Sequence, residues 1–129
     1  MFYNNRYRVF LKAVKKSTKP LRDFSSVQVP VFIRDKSGRF VKHYGRVGLA
    51  GFVFESRNLA PVGQRIDVRI VLLGLGVVVE TSGKVVSVTP AGDHVDVAAR
   101  FVAVSQEIEQ TIARWLGLFA NTSRVMAVA

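Results

Sequence analysis

The side chains able to do chemistry in this chain of 129 residues are few and unevenly placed. Cysteine is absent, which removes a thiol nucleophile, a thiolate metal site and any disulfide. The two histidines, His43 and His94, fall in an alternating apolar run and in a turn, with no carboxylates at metal-ligand spacing beside either. They read as satisfied or surface histidines. The nine acids are scattered, and Asp35 and Asp93 sit in turn signals where Asp is favoured for backbone reasons. No carboxylate pair stands out for acid–base work. Gly74-Leu75-Gly76 lacks the third glycine of a dinucleotide fingerprint and leads into a β-branched run instead of a helix, so it reads as a hairpin turn. These absences argue against an enzyme, and they leave cationic chemistry as the main candidate.

Nineteen Lys and Arg against nine Asp and Glu give a formal net charge of +10, which favours nucleotide phosphates, nucleic acid or an anionic lipid surface as partners. Seven of those cations, Arg6, Arg8, Lys12, Lys15, Lys16, Lys19 and Arg22, precede the first acid, Asp23. In the same segment Tyr3, Tyr7, Phe10, Leu11 and Val14 recur at helical spacing opposite the basic residues. The pattern predicts a basic amphipathic helix that packs on the domain or on a second copy, or touches a partner protein or membrane surface. The longest apolar stretch, Val68 to Val79, is interrupted by Arg69, Gly74 and Gly76 and falls short of the roughly 18 residues of a spanning helix. With no secretory pattern at the N-terminus, a cytoplasmic protein is expected.

From Val27 the apolar period changes from helical to two. Val27, Val29, Val31 and Ile33 alternate, Asp35 to Gly38 supplies a turn, and Phe40 to Val47 resumes an extended run. Phe52 to Glu55 is a third strand, with Phe52 and Phe54 on one, core-facing side. After the Ala60–Gly63 turn, Ile66 to Leu72 gives a fourth. Val77 through Gly83 to Val88 and Val95 to Phe101 complete the set, separated by a turn at Pro90-Ala91-Gly92-Asp93. Six short strands at regular spacing predict a closed or nearly closed antiparallel barrel. Ser105 can then cap a helix with Glu107 and Glu109 in its first turn and an apolar stripe of Ile108, Ile112, Trp115, Leu116 and Phe119. The expected organisation is a basic segment over 1–22, one mainly β domain over 23–120 and a tail over 121–129.

The order of these features is specific: a basic segment before the first strand, Arg46-Val47-Gly48-Leu49-Ala50-Gly51 leading into Phe52-Val53-Phe54, a Pro-x-Gly turn at Pro61 to Gly63, Gly83 to Val88, and Ala99-Arg100-Phe101 before a helix. Over about residues 16 to 119 the chain resembles the PilZ domain. That resemblance implies a small bacterial β-barrel which, like many of its family, receives the second messenger cyclic di-GMP and controls motility, attachment or exopolysaccharide output.

The family's ligand signature pairs Arg-x-x-x-Arg ahead of the first strand with Asp/Asn-x-Ser-x-x-Gly on the barrel. Guanidinium forks bind phosphate and guanine N7/O6 bidentately, and the second part offers acceptors to the guanine edge with a glycine where the backbone comes close. Arg22 matches the second arginine, while Thr18 stands at the first with Lys15, Lys16 and Lys19 nearby. In the second part Arg46 occupies the acidic position, Gly48 the serine position, and Gly51 matches. The resemblance therefore implies Lys16, Lys19 and Arg22 as phosphate clamps and Arg46, Gly48 and Gly51 as the barrel side of a cyclic di-GMP site. Arg46 carries donors only, where guanine N1 and N2 need an acceptor, and each unsatisfied buried group costs about 1–3 kcal/mol, roughly tenfold to a hundredfold in affinity. Weakened or altered binding is expected. The other readings are an adaptor that acts through protein contacts without nucleotide, self-association through either terminal helix, and a barrel for single-stranded nucleic acid, which needs aromatics such as Phe32, Phe40 and Tyr44 grouped with cations.

Overall fold

The computed structural model describes Leu21 and residues 23–120. Lys16, Thr18, Lys19 and Arg22, the basic amphipathic segment and the tail 121–129 lie outside the described residues, and so do the expectations placed on them. Six strands follow: β1 (Val29–Arg34), β2 (Phe40–Val47), β3 (Gly51–Ser56), β4 (Arg65–Leu72), β5 (Val77–Ala91) and β6 (His94–Phe101). They close into a barrel in the order β1-β2-β3-β6-β5-β4, every neighbouring pair antiparallel. The six-stranded antiparallel barrel predicted from the alternating runs is the fold observed.

Period-two patterning decides which side of each strand faces in. On β4, Ile66, Val68, Ile70 and Leu72 are buried while Arg65 and Arg69 point to solvent. Val29 and Val31 of β1, Val47 of β2, Phe52 and Phe54 of β3, and Val97, Ala99 and Phe101 of β6 fill the same interior. Each fully buried aliphatic or aromatic side chain contributes about 1.5–3 kcal/mol relative to exposure. Gly83 is required by this packing, because a Cβ there would stand 2.8 Å from the Phe52 ring.

Two boundaries differ from the alternation. Val27 is exposed and β1 starts at Val29, since the interior accepts only the last three of the four alternating residues. The turn expected over Pro90 to Asp93 shrinks to Gly92-Asp93, with Gly92 at φ +74° and β5 running through Pro90. Beyond Lys84, β5 pairs with β6 alone, so a residue without an N–H is tolerated there as on an edge strand.

One end of the barrel is stoppered by helix α1 (Gln106–Trp115) and a π-helical turn, Leu116–Ala120. Ser105 caps α1 by accepting from the Ile108 N–H at 3.1 Å, and Glu107 and Glu109 meet the positive end of the helix dipole. Ile108, Ile112 and Trp115 enter the core, and the Trp115 indole N–H donates to the Leu73 carbonyl at 2.8 Å. Among the described residues no helix is long and apolar enough to cross a membrane.

Candidate functional site

The loop ahead of β1 is anchored where β2 ends. Ser25, only 1% exposed, donates its hydroxyl to the Val27 carbonyl at 2.8 Å and accepts from the Val47 N–H at 3.2 Å, while its own N–H donates to the Val47 carbonyl at 2.8 Å. A buried hydroxyl with two bonds, beside a backbone bond from the same residue, holds this loop against the barrel. Asp23, next in the loop after Arg22, adopts φ 60°, a left-handed conformation that Asp tolerates better than most residues.

The β2–β3 turn faces the same loop. Gly48 is buried and its N–H donates to the Gly51 carbonyl at 2.8 Å, and the Phe101 N–H ties Ala50 to β6 at 2.9 Å. Leu21 lies over Gly51: a Cβ at position 51 would stand 2.7 Å from the Leu21 methyl and 2.9 Å from the Arg100 Cα, and would also run into the Ala99 carbonyl. Gly51 is thus the residue that lets the loop ahead of β1 and strand β6 close on one point.

Arg46, Gly48 and Gly51 come together on this turn, with different parts to play. Gly48 and Gly51 contribute backbone, whereas Arg46 is exposed on the outer face of β2 opposite Val53. Arg46 borders a shallow cavity of about 150 Å³ that is also lined by Gln28, Tyr44, Glu55, His94 and Asp96. The acceptors that Arg46 cannot offer are therefore present on the adjoining strands, as the carboxylates of Glu55 and Asp96. Gln28 donates to the Glu55 carboxylate at 3.0 Å, and the His43 ring nitrogen Nδ1 bonds the Glu55 carbonyl at 2.9 Å.

His94 also lines that cavity. Its Nδ1 lies 3.2 Å from an Asp93 carboxylate oxygen and its Nε2 3.3 Å from one of Asp96. The hydrogen bond to Asp93, aided by the nearby charges of Glu55, Asp96 and Asp93, raises the His94 pKa above its ordinary value, and the same bond lowers that of Asp93. Among the described residues no group of three or more His, Asp or Glu side chains is arranged to hold a metal ion. Ser25 and Leu21, which set the loop on the turn, had no signal in the sequence: a serine in a short polar stretch and a leucine beside a proline look like any linker.

A closed six-stranded antiparallel barrel with a helix packed into its core, and with Leu21 lying over the β2–β3 turn, defines a small β domain. The family model for the PilZ domain matches residues 18–118, and this chain belongs to the PilZ family. Its fold is similar to that of the Bacillus subtilis inhibitor of motility MotI/DgrA, with a TM-score of 0.64 and 12% identity over 74% of this chain and 49% of that one. It is likewise similar to Escherichia coli YcgR, whose structure was determined in complex with c-di-GMP, with a TM-score of 0.63 and 17% identity over 82% of this chain and 49% of that one. The chain thus spans about half the length of either protein. No curated relative matches the sequence.

Proposed function

We propose that the chain is a regulatory binding domain of cyclic di-GMP-linked signalling, not an enzyme, whose output is a contact with a partner protein. The observation that carries this reading is the convergence of the loop ahead of β1, through Leu21, on the β2–β3 turn that bears Arg46, Gly48 and Gly51. Cyclic di-GMP is the candidate ligand, with Lys16, Lys19 and Arg22 clamping its phosphates from the loop side. On the barrel side Gly48 and Gly51 let the backbone come close. Arg46 pairs with a phosphate or stacks on a base, and Glu55 and Asp96 offer the guanine edge its acceptors. This is an altered pose, because the acceptors have moved from the end of β2 to the neighbouring strands.

Titration calorimetry with cyclic di-GMP tests it. Wild type should bind, Arg22→Ala should lose at least about tenfold, and Arg46→Asp, which returns an acceptor to β2, should gain roughly tenfold. Absence of both heat and thermal shift at high micromolar ligand overturns the ligand step. The second reading, an adaptor without nucleotide, draws support from the donor-only Arg46, the missing hydroxyl at Gly48, and the exposed Leu73, Val78 and Leu118. A defined oligomer or partner complex in light scattering, formed without nucleotide, would favour it.

A further inference from the structure

The reading above leaves the outer face of β1 and β2 unexplained. With Gly45 and Val47 pointing into the barrel, alternation places Phe40, Lys42, Tyr44 and Arg46 on the outside of β2 in the order aromatic, cation, aromatic, cation. The register sets Phe32 of β1 between Lys42 and Arg69 of β4, and Arg34 beside Phe40. The Arg69 guanidinium lies 4.0 Å from the centre of the Phe40 ring, and the Lys42 ammonium 5.0 Å from that of Tyr44. Burial does not account for the Tyr44 ring, which is 51% exposed, and Phe32 and Phe40 stay partly open to solvent.

The acids on this side have partners, including Glu55, which accepts from Gln28, and Asp96, which faces His94, at the Arg46 end. Asp67 holds Arg34 at 3.6 Å and Glu80 holds Arg69 at 3.2 Å, whereas among the described residues Lys42 and Arg46 take part in no ion pair. A cavity of about 630 Å³ opens at the Phe40 end, lined by Arg34, Arg65 and Arg69, and the smaller one opens at the Arg46 end. From Phe40 to Arg46 the row runs about 20 Å, room for a few nucleotides of an extended strand.

We infer that the outer face of β1–β2 binds single-stranded nucleic acid, the rings of Phe40 and Tyr44 stacking on bases while Lys42 and Arg46 meet the phosphates between them. Single strands suit this face because their bases present free π-surfaces, which a duplex hides and an acidic peptide lacks. The face shares Arg46 with the proposed cyclic di-GMP site, while Phe40, Tyr44 and Lys42 have no part in that reading.

The test is fluorescence anisotropy of the full chain with a labelled oligothymidylate of about 15 nucleotides at roughly 50 mM salt. Micromolar binding is expected, and Tyr44→Ala, which leaves the charge unchanged, should weaken it about fivefold to a hundredfold. Tyr44→Phe should bind like wild type, and Lys42→Ala should lower the salt slope by about 0.7. Circular dichroism of each variant checks the fold, and exposed Tyr44 can be cut back without opening the core. No binding, Tyr44→Ala equal to wild type, or a duplex or polyglutamate competing as well as the oligothymidylate would each overturn the inference, the last two because they show attraction by charge alone.

Discussion

Arg46 and His94 line one shallow cavity and carry different electrostatic problems. Arg46 puts a donor where the family signature has an acceptor, so the Arg46→Asp and Arg22→Ala titrations address one side chain each and give opposite signs. His94 lies between Asp93 and Asp96, and these contacts become ion pairs when its ring is protonated. Because its folded pKa lies above the ordinary value of about 6.5, its stabilisation is complete below that value and disappears as pH rises through the raised folded value. Asp93 has the opposite sense: its folded pKa is lowered, so its contribution is present above the ordinary carboxylate range and is lost on strong acidification. His94→Ala should therefore lower the melting temperature at about pH 5.5 and have little effect at about pH 8.5. Equal losses at the two pH values would mean that packing, not charge, sets the role of His94.

At the scale of elements, the proposed site depends on how a loop is held to a turn. Ser25 joins the loop ahead of β1 to Val47, the last residue of β2, through two hydrogen bonds within a buried site, and its hydroxyl also donates to Val27 in the loop itself. Ser25→Ala leaves the Val47 N–H without its hydroxyl partner and should cost about 1–3 kcal/mol in urea unfolding. It should also release Leu21 from Gly51 and weaken cyclic di-GMP binding beyond any loss shown by a variant of equal stability altered in α1. A stability loss with unchanged affinity would separate the anchor from the site. The outer face of β1–β2 is a device of the same scale: no one of its residues is unusual, and only the register brings Phe32, Lys42 and Arg69 side by side.

At the scale of the molecule, barrel and helix share a single core. Trp115, the one tryptophan, is fully buried at the barrel end and hydrogen-bonded to Leu73, while Phe52, Phe101 and Ile112 pack in the same cluster. The helix cannot leave without exposing the interior of the sheet. Unfolding followed by tryptophan fluorescence and by far-ultraviolet circular dichroism should accordingly give coincident single transitions. An earlier fluorescence transition would show that α1 undocks as a separate unit. The charge is organised at this scale too: seven of nineteen cations precede Asp23 in the chain, while on the sheet Arg34 and Arg69 are paired with acids and Lys42 and Arg46 alternate with aromatic rings.

By itself the sequence determined the six strands, the closed antiparallel sheet, the capped helix with Ile108, Ile112 and Trp115 inward, and the turn at Gly48 to Gly51. These follow from local rules, a period of two or 3.6 and the demands of turns and caps, which act over a few neighbouring residues. The family resemblance also marked Arg46 as the departure from the ligand signature. Only the tertiary structure decided what lies around it. Glu55 is nine positions from Arg46 and Asp96 is fifty away, yet both line its cavity, and Ser25 reaches Val47 across 22 residues. Where β5 ends, which residues Leu21 covers, and the pairing of Phe32 with both Lys42 and Arg69 are likewise set by barrel closure. The physical reason is that register between strands distant in the chain is chosen by packing of the shared core, and outward-facing side chains are grouped as a consequence of that choice.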